Sequence, residues 1–340
     1  MVDLGGLGAR HAGVGMPWTK VLAAGGLAGL AALAGRYAAG EARADRSWPA
    51  QLEARLTNLG EVSEVSILPL VERLTPGDSR LRGEPGVSYL ISAGGRRVLF
   101  DCGLSGGKPE SALAQNSQML GVSLRDLDAV VISHLHADHV GGLQAMRRRT
   151  FAFAAGALEP SGVPAHVPAP MSHARADIAV TTGPRLVGPG MAVLPPLPRM
   201  LFWLGYIAEQ VLVVNVTGFG LVLISGCGHP PIEQILAVTE QVLDIPIRAV
   251  IGGLHLPVHP LGTPLIPQAV LGNPHLPWRP ISERDAEHVL EEIEARGPRI
   301  IALSGHDSTP WTYGTFRRRL GDRYRTLRIG EELRITASTG

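Results

Sequence analysis

Short apolar runs separated by turn-rich polar segments dominate the chain from residue 62 onward. Runs of this length, rich in Val, Ile and Leu and bounded by turn residues, are typical of β-strands. Two of them, at 87–92 and 97–100, are joined by Ala93-Gly94-Gly95, which predicts a hairpin. The other predicted strands lie at 62–68, 128–132, 210–216, 221–224, 247–251 and 299–303.

Helical spacing of apolar positions predicts helices at 111–120, 142–149, 232–243 and 283–296. Ser282 precedes the last of these as an N-cap, with Asp285 at the third helical position. Strands followed by helices occur in two successive sets, 62–149 and 210–303. This order is consistent with an α/β protein, an αββα sandwich made of two similar halves. Residues 156–200 and 256–281 are rich in proline and are predicted to be mainly loops.

Polar residues flanked by glycine stand at the ends of several predicted strands. Strand ends that meet on one rim are where α/β scaffolds place chemistry. These residues are Asp101, His134, His229 with Cys227, His255 and His306.

The densest group is SHLHADHVGG at 133–142, which holds His134, His136, Asp138 and His139. In an extended segment, His134 and His136 point the same way, and the turn that follows brings Asp138 and His139 to a neighbouring point. Imidazole and carboxylate donors suit zinc, iron, manganese or nickel, and two adjacent metals could share the set. The alternative is a polar loop without metal, in which buried histidines and a carboxylate would be costly.

Composition narrows the classes of protein. The net charge of +1 gives no broad electrostatic field that would argue for nucleic acid or acidic partners. We expect a small-molecule substrate and no nucleic-acid partner. Two cysteines give no disulfide framework. The basic runs 147–149 and 317–319 are predicted to be solvated faces, with a phosphate or anionic-lipid contact as the alternative.

The N-terminal segment has its own pattern, because residues 21–35 contain no charge and consist mostly of Ala, Leu and Gly. We expect residues 1–45 to be a membrane anchor or a signal segment, with membrane association through 18–40. The protein would then be membrane-associated or exported, with a catalytic domain at 60–335. A soluble Ala-rich helix is the alternative.

HLHADH at 134–139, followed by Gly141-Gly142, resembles the signature of the metallo-β-lactamase fold superfamily. VLFDCG at 98–103 is similar to the first motif of that superfamily. Three later segments resemble one branch, the dihydropteroate-synthase-like metallo-hydrolases: SGCGH at 225–229, IGGLHL at 251–256 and SGHDS at 304–308. The resemblance covers about residues 60–330 and implies the αββα sandwich fold.

The resemblance also implies roles for individual residues. His134, His136 and His229 would bind a first metal, and Asp138, His139 and His306 a second. Rivals for the place of His229 are His166 and His173. The metal would be zinc, with iron or manganese as alternatives. Asp101 would accept a hydrogen bond from the free ring N–H of a ligating histidine and so fix its tautomer. The alternative is that Asp101 only caps a turn.

Two residues lie outside this assignment. Cys227 stands where the superfamily often has a bridging aspartate, so it either supports the second metal site or is only a small buried residue. His255 could be a metal ligand, a proton donor or a substrate contact, and the last two roles are favoured over a purely structural one. Asp138 could orient the water as well as bind metal. We also expect the loop with Trp278 to shape a substrate pocket.

The leading hypothesis is a metal-dependent hydrolase that uses activated water on an ester, lactone or phosphoester. One alternative is a pterin-related transferase of the same fold. The other is a metal-binding protein without catalytic activity. Fold-level likeness does not choose among substrates.

Overall fold

Two mixed β-sheets form the centre of the fold in the computed structural model, which describes residues 18–53, 55–77, 79–153 and 162–339. Within these residues the first sheet has the order β16-β1-β2-β3-β4-β5-β6. Its strands are β1 (Glu64–Val71), β2 (Ser88–Ala93), β3 (Arg96–Phe100), β4 (Ala129–Val131), β5 (Val163–Val167), β6 (Ala176–Val180) and β16 (Leu333–Thr336).

The second sheet has the order β15-β14-β13-β12-β11-β8-β7 within the described residues. Its strands are β7 (Arg185–Gly188), β8 (Met191–Val193), β11 (Leu212–Val216), β12 (Gly220–Ser225), β13 (Ile247–Gly252), β14 (Ile300–Leu303) and β15 (Tyr324–Thr326). A separate hairpin is formed by β9 (Leu197–Leu201) and β10 (Gly205–Glu209).

The helices are α1 (Trp18–Ser47), α2 (Ala112–Met119), α3 (Ala137–Val140), α4 (Leu143–Arg147), α5 (Ile232–Val242), α6 (Ile266–Leu271), α7 (Glu283–Glu294) and α8 (Pro310–Leu320). Short 3-10 helices lie at Trp48–Glu53 and Gly321–Arg323. The predicted capping box before α7 is present, because Ser282 and Asp285 exchange hydrogen bonds with each other's backbone.

Apolar side chains fill the space between the sheets, where Ile67 and Phe100 of the first sheet belong to the same cluster as Val214 and Ile251 of the second. The outer face of the first sheet packs with Leu113 of α2. The outer face of the second packs with α5, α7 and α8. These layers are the αββα arrangement that the order of strands and helices favoured.

Parallel pairing sets the position of the polar strand ends. Strand β3 is parallel to β4, so Asp101 and the 133–142 segment leave the first sheet at the same edge. Strands β12, β13 and β14 are also parallel, so the segments that carry Cys227, His255 and His306 leave the second sheet together. The two edges meet at one rim of the sandwich.

The N-terminal apolar segment lies in α1, which runs on to Ser47 through several charged residues. In the part of the chain that the structure describes, no helix has the length and apolar character needed to cross a membrane. A membrane-spanning form of the expected anchor is therefore not found among these residues. Association with a membrane stays a prediction. The second half of α1 contacts the β9–β10 hairpin region: Arg36 donates to the Phe202 carbonyl, and the Met200 N–H donates to Glu41.

The two proline-rich regions contain more regular structure than the sequence indicated. Residues 162–201 include β5 to β9, and the 256–281 excursion includes α6. Part of the first region, 154–161, lies outside the described residues. The first 17 residues, which belong to the predicted anchor or signal segment, also lie outside them.

Candidate metal centre

The 133–142 segment turns sharply after β4 and presents its polar side chains at the rim. His136 is extended and precedes α3, in which Asp138 and His139 lie on one turn. Gly141 ends this helix with φ 89°, and a Cβ atom there would stand 2.0 Å from the Ala152 carbonyl oxygen. Only glycine fits this conformation and this close approach, so the two glycines after the histidines have a structural reason.

Three histidine rings surround one point. The ring centroids of His134 and His136 are 4.6 Å apart, and the His229 centroid is 5.0 Å from each of them. All three side chains are buried. Among the described residues, the Nε2 atoms of His134 and His136 and both ring nitrogens of His229 have no hydrogen-bond partner. Buried nitrogens of this kind are expensive unless a ligand satisfies them, and a cation would do so.

A second group lies beside the first. One ligand atom from each of Asp138, His139, Cys227 and His306 lies within 4.8 Å of the others. The Cys227 Sγ atom is 3.0 Å from His139 Nε2 and 3.1 Å from His306 Nε2. Asp138 is the most exposed member and faces the open side of the site. Two imidazoles, a thiol and a carboxylate are a donor set that zinc accepts.

Cys227 lies between the two groups rather than behind either of them. Its sulfur is within 4.8 Å of ligand atoms of His134 and His229 as well as of the second group. Burial and the nearby carboxylates, beginning with Asp138, raise the pKa of the Cys227 thiol well above its usual value. The thiol therefore keeps its proton unless a cation is bound beside it.

Burial sets the charge of most of the histidines. It lowers the pKa of His136 to about 4, and it holds the pKa values of His134, His229 and His306 well below the ordinary value. Neutral imidazole is the form that binds metals. His139 differs: burial opposes its charge, but the carboxylates of Asp138 and Asp101 raise its pKa to about 9.

Asp101 holds two of the histidines in orientation. Its Oδ2 atom accepts from His139 Nδ1 at 2.7 Å and from the Ser133 hydroxyl at 2.6 Å. The Ser133 hydroxyl also lies 2.9 Å from His134 Nδ1. These contacts engage the Nδ1 atoms and leave both Nε2 atoms directed at the site. Asp101 has φ 61°, a conformation that a non-glycine residue adopts at a cost.

Glu72 has the same role for His306, and it was not identified from the sequence. Its carboxylate accepts from the Ser304 hydroxyl, from the Tyr89 hydroxyl at 2.8 Å and from the Gly305 N–H at 2.9 Å. Ser304 in turn lies 2.6 Å from His306 Nδ1. Glu72 is fully buried, and burial raises its pKa. Its position directly after β1 is the one signal that could have pointed to it.

Glu209 holds the loop that carries Cys227 and His229. Its carboxylate accepts three backbone N–H groups, from Cys227 at 3.0 Å, Gly228 at 2.8 Å and His229 at 2.9 Å. Burial raises the pKa of Glu209, and the three donors act in the opposite direction. This residue was also missed, because nothing local in the sequence links the end of β10 to a loop after β12.

His255 lies on the cleft side of His229, with ring centroids 4.7 Å apart. Its backbone N–H donates to the buried carboxylate of Asp307 at 2.8 Å, and its φ of 50° is unusual for histidine. Burial lowers the pKa of His255 to about 4. The ring is therefore neutral near pH 7.

The rival histidines lie elsewhere. His166 is in β5, and His173 stacks on Phe151 with a centroid distance of 4.4 Å. His173 Nδ1 also accepts from the backbone N–H groups of Arg175 and Ala176. Within the described ranges, neither belongs to a group that could hold a metal. His229, rather than either rival, is the residue that accompanies His134 and His136.

The fold and this rim define a class of protein. The family model described as the metallo-beta-lactamase superfamily matches residues 81–306. The chain belongs to this superfamily, which confirms the resemblance to the superfamily found in the sequence.

Individual relatives are more distant. A 7,8-dihydropterin-6-methyl-4-(beta-D-ribofuranosyl)-aminobenzene-5'-phosphate synthase of Methanocaldococcus jannaschii is 25% identical over 243 residues, 59% of this chain and 81% of the synthase. Ribonuclease TTHA0252 of Thermus thermophilus is 44% identical over 66 residues, which are 19% of this chain and 15% of the ribonuclease. The chain thus spans only a small part of that relative. Among solved structures, Tm1679, a metal-dependent hydrolase of the beta-lactamase superfamily, superimposes with TM-score 0.54 and 22% identity. That match covers 80% of this chain and 99% of the other, and it shows the shared fold.

Proposed function

We propose that this protein is a metal-dependent hydrolase of an ester, lactone or phosphoester. The observation that carries the proposal is the pair of ligand groups that meet at Cys227. The buried nitrogens of His134, His136 and His229 have no partner among the described residues, so a cation would satisfy them. Ligand atoms of His134, Cys227 and His229 lie within 4.8 Å of one another.

In this proposal His134, His136 and His229 hold a first metal. Asp138, His139 and His306 would hold a second, and Cys227 is within reach of both ligand groups. A metal ion bound there would lower the pKa of a water molecule toward ~7 and polarise the carbonyl or phosphoryl oxygen of the substrate. The imidazole and thiol donors favour zinc over iron or manganese, because thiolate is a soft ligand.

The side chains of this chain supply the rest of the chemistry. Asp138 is partly exposed and faces the cleft, where its carboxylate can orient water and accept a proton. His255 lines the same cleft and is the candidate for contact with substrate and for proton delivery to the leaving group. Asp307 fixes the His255 backbone, which keeps its ring beside His229.

A panel of chromogenic esters, lactones and phosphodiesters tests the proposal. We expect the zinc-loaded protein to hydrolyse at least one class, and Asp138→Ala to lose most of that activity. Glu287→Ala is the matched control, because Glu287 is exposed on α7. Failure on all classes at full metal loading would refute the hydrolase.

A pterin-related transferase is the second candidate, since the synthase of M. jannaschii matches over 81% of its own length. This function predicts turnover of a pterin diphosphate ester with an aminobenzene acceptor, and no hydrolysis of the ester panel. Binding of metal without turnover of either panel would instead support the third candidate, a metal-binding protein without catalysis.

We further propose that residues 18–40 associate with a membrane surface. Support comes from the uncharged stretch 21–35 and from Leu30 on α1, whose side chain is 53% exposed. Flotation with phosphatidylcholine–phosphatidylglycerol vesicles tests this. Leu30→Glu should abolish flotation, whereas Leu186→Glu, at an exposed position on β7, should retain it.

A further inference from the structure

A cleft of about 630 Å³ opens over the ligand groups, and His136, Asp138, Cys227, His229 and His255 line its inner end. Most of the remaining wall is apolar. It includes Pro85, Leu104, Leu143, Met146, Leu204 and Leu271.

Three leucines of this wall remain in contact with water. Leu143 is 48% exposed, Leu204 40% and Leu271 45%. They come from α4, the β9–β10 turn and α6, so three separate elements contribute to one apolar surface. Burying such side chains under an apolar portion of a ligand is favourable by the hydrophobic effect.

Further exposed apolar side chains lie on the same elements. Ile266 and Val270 on α6 are 45% and 48% exposed, and Trp203 beside Leu204 is 42% exposed. None of these three lines the cleft.

Two polar residues, Gln268 and Arg73, also line this wall, and Arg73 is the cation among them. The Arg73 backbone N–H donates to Glu72, whose carboxylate accepts from Ser304, and Ser304 contacts His306. The Arg73 backbone therefore lies close to the ligand groups. Its side chain is partly buried, and its Nε atom is buried without a hydrogen-bond partner in the described part of the chain. A buried N–H donor that lacks an acceptor, in a cleft, indicates an anionic group of the ligand.

Building on the proposed hydrolase, we propose that the substrate is an anionic amphipath. Its apolar chain lies on the wall formed by Leu143, Leu204 and Leu271, and its carboxylate or phosphate group is bound by Arg73. The scissile ester bond then lies over the ligand groups at the inner end of the cleft.

Fatty-acyl esters of 4-hydroxybenzoate test both parts of this proposal. With the zinc-loaded protein, kcat/KM should rise about fourfold for each methylene added to the acyl chain until the wall is covered. Leu143→Ser and Leu271→Ser should flatten this dependence. Leu186→Ser is the control, since Leu186 is 39% exposed but does not line the cleft.

The charge is tested with the methyl ester of the same compound, which is neutral. The anionic substrate should be preferred by about tenfold or more. Arg73→Gln should remove the preference, Arg73→Lys should restore part of it, and Arg284→Gln on α7 should leave it unchanged. Acyl esters of 4-hydroxyphenyl phosphate decide between carboxylate and phosphate, and a preference for either supports the inference.

Two results would overturn the inference: acetyl and octanoyl esters turned over equally, or neutral and anionic esters turned over equally by the wild type. If no ester is hydrolysed, the proposed hydrolase fails, and binding decides the inference separately. Calorimetric titration with the octanoyl ester of 4-hydroxybenzoate should then show binding that Arg73→Gln weakens and Arg284→Gln does not. Absence of binding, or equal binding by both variants, would contradict it.

Discussion

Substitution of Glu209 tests how the ligand groups are positioned. Glu209 is not one of the metal ligands proposed above, but it orients two of the residues there, Cys227 and His229. Oε1 accepts the Cys227 and Gly228 N–H groups, and Oε2 accepts the His229 N–H. Glu209→Ala leaves these three donors without an acceptor in a buried place. A lost bond to a charged group is worth about 1.5–3 kcal/mol, and burial of the carboxylate itself offsets part of this.

We therefore expect Glu209→Ala to lower the free energy of unfolding by about 3–5 kcal/mol. Glu209→Gln keeps one oxygen for the first two donors but turns an amide N–H₂ toward the His229 N–H, so about 2 kcal/mol should be lost. Zinc affinity should fall by about 10- to 100-fold in Glu209→Gln, because His229 is no longer fixed.

Urea unfolding of metal-free protein measures the stability, and competition with a chromogenic zinc chelator measures the affinity. Glu287→Gln, at an exposed position on α7, is the control and should change the unfolding free energy by less than about 0.5 kcal/mol. If Glu209→Gln binds zinc as tightly as the wild type, Glu209 does not position the ligands and the reasoning is refuted.

Three further predictions follow from single residues. Cys227→Asp should shift metal preference from zinc toward manganese or iron, measured by competition loading; an unchanged preference would mean that the sulfur is not a ligand. Burial, with a smaller effect of Arg185, lowers the pKa of His166 to about 4, against an ordinary 6.5. Between these two pH values the unfolded chain binds more protons than the folded one, so His166 should cost up to about 3 kcal/mol of stability as pH falls from 6.5 to 4. Urea titrations should show that His166→Gln loses less stability than the wild type over that interval. Parallel stability curves for the two proteins would contradict this. Gly141→Ala would place a Cβ atom 2.0 Å from the Ala152 carbonyl oxygen at a residue with φ 89°, so it should lower the free energy of unfolding by about 2 kcal/mol or more. Gly121→Ala should lower it less, because φ is also positive there but the surrounding space is open.

The sequence was sufficient for the parts of the fold whose signals are local. The β2–β3 hairpin, the strands that end before the polar motifs and the capping box of α7 follow from short patterns, and the structure has all of them. The superfamily could be recognised for the same reason, because its main motif lies within 134–142.

The residues that the sequence did not reveal act across long separations. Glu72 accepts a hydrogen bond from Ser304, which lies 232 positions away in the sequence, and no local sequence pattern predicts such a pair. Glu209 contacts the Cys227 loop across 18 positions, but only after the hairpin formed by β11 and β12 has folded back. The position of Cys227 between both ligand groups likewise depends on the meeting of two sheets.

In the N-terminal segment, the local pattern describes only part of a longer helix. Its uncharged stretch predicts a membrane anchor or signal segment, and α1 continues beyond that stretch through charged residues that contact the folded domain. Arg199 of β9 lies 3.5 Å from Glu41, and Tyr37 donates to the Pro274 carbonyl. The local hydropathy pattern identifies the apolar first half of α1. It does not predict that the second half packs against the folded domain.

The central claim is that two groups of ligands bind transition metal at the rim of the sandwich. Elemental analysis of the purified, zinc-loaded protein tests it most directly. We expect one to two zinc equivalents per chain, with clear losses in His136→Ala and Asp138→Ala and none in His288→Ala, a surface histidine on α7. A wild type that holds no transition metal under any loading condition, or variants that hold as much as the wild type, would contradict the account.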